Sequence, residues 1–186
     1  MTKITIVAGG NSVHSRLTGV LQHVQSSLEA GGAELEVIHV HQLPSKALLT
    51  ADFSNEELKG AIERVQASDG VVFLSPVYKA AYSGILKTFL DMLPQKSLAG
   101  KAVLPLILGG TNAHLLVLDY ALKPVIHNLG ATAIHTGVFV LDKQVTKHET
   151  NLYELDPEAA TRLNNALTIY KSSLGGKMDV YHTQYS

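Results

Sequence analysis

The sequence predicts an α/β fold in which a five-stranded parallel sheet, in the order 2-1-3-4-5, carries helices on both faces. Three observations support this. Apolar, β-branched runs alternate with segments of helical periodicity, as βαβ units do. Residues 71–74 contain no polar side chain, as expected of a central parallel strand covered on both faces. The loops of unusual composition follow the first, third and fourth strands, and such a sheet binds ligands at the C-terminal ends of its strands.

Residues 4–8 read as strand one. Residues 15–30 form a helix, with Leu17, Leu21, Val24 and Leu28 at helical spacing. Residues 35–40 are strand two. There Glu34 and Glu36 alternate with Leu35 and Val37, and one wet face places the strand at a sheet edge. Asn55 caps a helix running to about residue 67, with Leu58, Ile62 and Val65 inward. The helix after strand three buries Ile85, Leu86, Phe89, Leu90 and Leu93. Residues 102–108 are strand four despite Pro105, which a central strand rarely tolerates. Residues 113–129 are helical and residues 134–140 are strand five. Pro157 starts a last helix that ends near residue 174, before Gly175-Gly176. This arrangement is flavodoxin-like. It assigns residues 1–176 to one domain and residues 177–186 to a polar C-terminal tail, either loose or reaching a neighbouring subunit.

Composition narrows the function. The chain has 186 residues, 46% hydrophobic and 17% charged, which is globular. A net charge of −1 gives no electrostatic reason to expect nucleic acid or an anionic membrane as partner. With no cysteine, disulfides, thiolate metal sites, iron–sulfur clusters and thiol relays are excluded, so any electron transfer needs a bound cofactor. No apolar run approaches the ~18 residues of a membrane span. The N-terminal MTKITIVAGG is too short before its glycines for a signal peptide. A cytoplasmic protein is the simplest expectation.

The loop after strand one runs from Gly9 through Gly10, Asn11, Ser12, Val13, His14, Ser15 and Arg16 to Thr18. Glycines allow close backbone approach. Free N–H groups at a helix start favour a phosphate, Arg16 offers a two-point cation, and Ser12, Ser15 and Thr18 offer hydroxyls. An ordinary βα turn with a capping serine is the alternative. The segment is neither GxGxxG nor a Walker loop, which favours a monophosphate over a dinucleotide. The loop after strand three brings Pro76, Val77, Tyr78, Lys79, Tyr82, Ser83 and Gly84, with Gly84 expected to allow close packing of the following helix. Backbone donors after the proline suit a flat heteroaromatic ring, and Lys79 is either an electrostatic support or a solvated cation. The loop after strand four, Gly109-Gly110-Thr111-Asn112-Ala113-His114, adds glycines for close approach to the ligand, and Asn112 as a helix cap.

The helix over 113–129 is apolar nearly all round, so both sides need cover. Pro124 has no N–H for the carbonyl of Tyr120, which predicts a kink or π-bulge near Tyr120. We expect Tyr120 at a subunit contact close to the ligand, or else a kinked core helix with no special role. His39 and His41 share a strand end, but no carboxylates converge on them and no metal site is expected. No GxSxG or HExxH is present.

These loops resemble those of the NADPH-dependent FMN reductases. That family reads GSPRxxSxxxxL in the first loop, where Gly9 and Ser15 match and Gly10-Asn11-Ser12 replaces Ser-Pro-Arg. Pro76, Val77 and Tyr78 match its Pro-x-Tyr signature, continued through Lys79 and Ser83-Gly84. Gly109, Gly110, Thr111, His114 and Leu116 match GGT-x-x-H-x-L. Within the family, SPVYKAAYSG, GGT–AHLL and DYALKP look most like the FMN reductases of alkanesulfonate assimilation. The resemblance implies FMN and NADPH (or NADH) as cofactors and a homodimer or homotetramer. It also implies that reduced FMN passes to a partner FMN-dependent monooxygenase. FMN phosphate is expected at Gly10, Ser12, Ser15, Arg16 and Thr18. The ring is expected between Pro76–Tyr78 with Lys79 and the Gly109-Gly110-Thr111 loop with His114. Hydride transfer needs only positioning, so no catalytic acid or base is assigned. Two other readings stay open: a reductase of quinones or azo dyes that retains its FMN, and a non-enzymatic electron carrier of the flavodoxin type.

Overall fold

The computed structural model describes residues 1–149 and 152–174. The expected tail over 177–186, and the Gly175-Gly176 stop, lie outside the described residues. The sheet contains β1 (Lys3–Ala8), β2 (Glu34–His39), β3 (Gly70–Tyr78) and β5 (Ala102–Gly109), closed by the short β6 (Ala133–Ile134) and β7 (Val138–Leu141). The order is β2-β1-β3-β5, then β6 and β7 end to end, all parallel. This is the expected flavodoxin-like 2-1-3-4-5, with β2 at the edge.

Alternation along the strands feeds two cores. Val71, Phe73, Val103 and Ile107 point to one face, under α3 (Glu56–Ala67) and α4 (Gly84–Leu90). Val72, Leu74, Leu104 and Leu106 point to the other, under α1 (Arg16–Ala30) and α6 (Pro157–Ser173). Side-chain caps set the helix starts: Asn55 accepts from Leu58 N, Ser83 from Leu86 N, and Asp156 from Glu158 N. The sequence reading missed a short helix, α2 (Ser45–Thr50), and an antiparallel hairpin, β8 (Val145–Lys147) with β9 (Tyr153–Leu155). That hairpin packs on α1, where a Cβ at Gly19 would lie 2.7 Å from Tyr153 Cβ.

Three expectations need correction. Strand three runs past residue 74 to Tyr78 and turns back through β4 (Ala81–Tyr82), with Val77 opposite Tyr82 and Tyr78 opposite Ala81. Pro76, Val77 and Tyr78 therefore lie on a strand extension. Its tip is Lys79-Ala80, both at positive φ (49° and 61°), as the twist of a tight hairpin requires. Strand five is split. Pro105, opposite Phe73 on β3, has no N–H to offer the ladder, and the far strand breaks at 135–137 with Gly137 at φ 85°. The helix over 113–129 is three pieces: a 3-10 turn (Asn112–His114), a π-helix (Leu118–Leu122) and α5 (Lys123–Asn128). The π-helix lies where Pro124 leaves Tyr120's carbonyl without its donor. Among the described residues, no helix is long and apolar enough to cross a membrane.

Candidate functional site

The C-terminal ends of β1, β3, β5 and β7 meet around a cavity of about 380 Å³, within the ~300–1,000 Å³ of small-molecule sites. Its floor is the loop between β1 and α1. Gly9 N continues the ladder to Leu74 O (2.8 Å), and a Cβ at Gly9 would lie 2.5 Å from Leu86 Cβ, so α4 packs directly on this backbone. Buried Ser83 fastens the junction. Its Oγ donates to Gly9 O (2.6 Å) and accepts from Leu86 N, while Ser83 N donates to Ser75 Oγ (2.9 Å). The first loop and the β3–β4 hairpin are thus one hydrogen-bonded unit.

The structure brings together Gly10, Ser15 and Arg16 from the first loop, Pro76, Val77 and Tyr78 from the hairpin, and Gly109 from β5. Ser15 begins α1 in extended conformation with no side-chain cap, so its side chain does not occupy the first helix amides. Arg16 Nε donates to Val145 O (3.0 Å), which holds the exposed arginine at the rim; among the described residues its terminal nitrogens make no hydrogen bond.

Other expected residues lie outside the lining. Thr18 Oγ1 donates to Val13 O (2.7 Å) and Ser12 Oγ accepts from His14 N (3.0 Å); both hydroxyls fold the loop itself. Lys79 sits exposed at the hairpin tip. Thr111 caps the 3-10 turn by accepting from Ala113 N, the role expected of Asn112. Gly110, Thr111 and His114 flank the cavity without lining it. Gly109 is needed for packing, because a Cβ would sit 2.5 Å from Phe139 Cζ. Gly84, expected to permit close packing, faces open space.

Asn11, Asp142 and Lys147 line the cavity and were not anticipated. Lys147 Nζ donates to His14 O (2.6 Å), tying β8 to the first loop. The signal for Asp142 and Lys147 was the rule about strand C-termini, applied to the fifth strand as well. His39 and His41 meet edge-on with ring centroids 5.8 Å apart beneath the first loop, beside Gly10 and Ser12. Among the described residues, no group of three potential metal ligands exists.

Tyr120 is 78% exposed on the π-helix, beside Leu115 and Leu116, which are also exposed. This segment packs against β4, the return strand of the hairpin that lines the cavity. Among the described residues, the other large hollow, about 490 Å³, lies between this segment and α6, away from the strand ends.

The fold is that of a flavodoxin-like protein, with a cavity of small-molecule size at its strand ends. The family model of the NADPH-dependent FMN reductases matches residues 2–146, and the chain belongs to that family. It is 42% identical to the FMN reductase (NADPH) of Escherichia coli K12, over 92% of this chain and 90% of that one. The FMN reductase (NADPH) of Pseudomonas putida KT2440 is 37% identical over 92% and 87%. Among solved structures, the apo form of the NADH:FMN oxidoreductase EMOB superposes with a TM-score of 0.85 at 37% identity, covering 96% of this chain and 92% of that one. The chain is therefore an oxidoreductase that works with FMN and with NADPH or NADH.

Proposed function

We propose that this reductase releases reduced FMN to a separate FMN-dependent monooxygenase, in a two-component system that desulfonates alkanesulfonates. The observation that supports release is the cavity's rim. Arg16, Lys147 and Tyr78 are all exposed, so the ligand meets solvent along its length. The alkanesulfonate link rests on the resemblance of the three loops.

The residues present fit FMN. Gly10 and Ser15 present backbone N–H groups to a phosphate, with Arg16 and Lys147 as cations at the same end. The rigid hairpin Pro76–Tyr78 and the bare backbone of Gly109 leave a slot for a flat ring. Bound there, FMN supplies the hydride-accepting chemistry, and the protein's part is orientation and electrostatics. NADPH oxidation that saturates with added FMN supports this reading. Turnover that needs a quinone or azo dye, with FMN retained through gel filtration, overturns it.

The exposed face of Leu115, Leu116 and Tyr120 supports a homodimer or homotetramer, with Tyr120 near the flavin edge through its packing on β4. Replacing Tyr120 by Ala should change the sedimentation coefficient or the retained flavin. If both stay as in the wild type, the π-helix has no such role.

A further inference from the structure

We propose that Asp142 is a positioning residue whose negative charge makes the cavity bind oxidised FMN in preference to reduced FMN. The inference rests on the flavin assignment above. It concerns a residue that the loop motifs did not single out.

Asp142 opens the 3-10 turn (Asp142–Gln144) after β7, and that turn is braced from three sides. Arg162, on α6, donates to Phe139 O (2.8 Å) and to Gln144 Oε1 (2.9 Å). The same Oε1 accepts from Leu141 N (3.1 Å), and Gln144 O accepts from Asp156 N (2.8 Å). Asp142 thus stands on a rigid platform, half-buried at the cavity wall. A Cβ built on Gly110 would lie 3.5 Å from Asp142 Oδ2, so the carboxylate leans over the glycine loop that follows β5. None of the ion pairs among the described residues includes Asp142. Its charge therefore acts on whatever fills the cavity.

Reduced flavin carries negative charge that oxidised flavin lacks. Arg16 and Lys147, which attract the phosphate, also attract that extra charge. With cations alone, the site would hold its product more tightly than its substrate, and turnover would stall on release. Asp142 opposes the added charge and leaves the phosphate end to the cations. A unit charge at roughly 10 Å, through an effective dielectric of about 20, shifts an equilibrium roughly tenfold.

The test is the ratio of two dissociation constants, for FMN and for anaerobically reduced FMN, measured by fluorescence titration of wild type, Asp142→Asn and Asp142→Glu. Asp142→Asn should bind reduced FMN about tenfold more tightly relative to oxidised FMN. For a two-electron couple, that raises the bound flavin's potential by about 30 mV. Asp142→Glu should keep the wild-type ratio, because it keeps the charge. An unchanged ratio in Asp142→Asn, or one equally altered in Asp142→Glu, overturns the inference while FMN binding stands. A wild type that does not bind FMN overturns the site assignment itself.

Discussion

Replacing Arg16 by Ala separates phosphate recognition from ring recognition. Arg16 lies at the cavity rim with Nε held by Val145 O at 3.0 Å, and its terminal nitrogens make no hydrogen bond among the described residues. A hydrogen bond between charged groups contributes about 1.5–3 kcal/mol net. Arg16 is exposed, and solvent screening favours the lower end, about 1.5 kcal/mol, or roughly tenfold in affinity. FMN should therefore bind about tenfold more weakly to the Ala variant. Riboflavin, which has the same ring and no phosphate, should change by less than about twofold. Arg16→Lys should fall between, because an ammonium keeps the charge and loses the two-point geometry. Fluorescence titration with the two flavins gives both numbers from one preparation. Equal weakening for FMN and riboflavin would refute the argument, since it would mean that Arg16 acts only by anchoring β8 to the loop.

Other perturbations test the frame around the site. Ala80→Gly removes a Cβ from a left-handed residue. Strain relief of about 1–2 kcal/mol, less about 0.4–1 kcal/mol of added unfolded-state entropy, should raise the melting temperature by a few degrees; a lower value in calorimetry counts against strain at the hairpin tip. Tyr170 is buried against the sheet, its Oη has no partner among the described residues, and burial pushes its phenol pKa up. Tyr170→Phe should raise stability by about 1–3 kcal/mol in urea unfolding, and destabilisation would reveal a partner for that oxygen. Burial holds His39 and His135 below the ordinary histidine range, with His41 adding to the effect at His39. The unfolded chain then takes up those protons at higher pH than the folded one. Stability should be full above about 6.5 and fall as the pH drops below it. A melting temperature that is flat across that window, or a slope unaltered when both histidines become Gln, would contradict this.

The sheet order, the edge position of β2 and the cap at Asn55 were legible because they depend on local signals: alternation, apolar runs and capping side chains. The π-helix was legible for the same reason, since a missing N–H at Pro124 acts four residues away. What escaped was long-range. The break in the fifth strand follows from Pro105 on its neighbour, and within residues 134–140 its local trace is Gly137. The extension of β3 past Ser75 depends on Ser83 and Gly9, which fasten the hairpin from other parts of the chain. Asp142 and Lys147 reach the cavity only because α6 and the β8–β9 hairpin hold their segments in place. Conversely, Thr18 and Thr111 carry the expected chemistry and spend it on their own loops.

The interruption at Pro105 also bears on how copies of this chain can meet. A parallel sheet ends in a row of unpaired N–H and C=O groups, which invites strand addition and aggregation. Here the outer strand is two residues of β6 and four of β7, separated by a turn at Gly137. On this side, among the described residues, no continuous edge is long enough to template another strand. Self-association through this side would therefore have to use side chains such as Leu115, Leu116 and Ile169 in place of ladder hydrogen bonds. One proline inside the sheet thus leaves the border beside it too broken to add a strand.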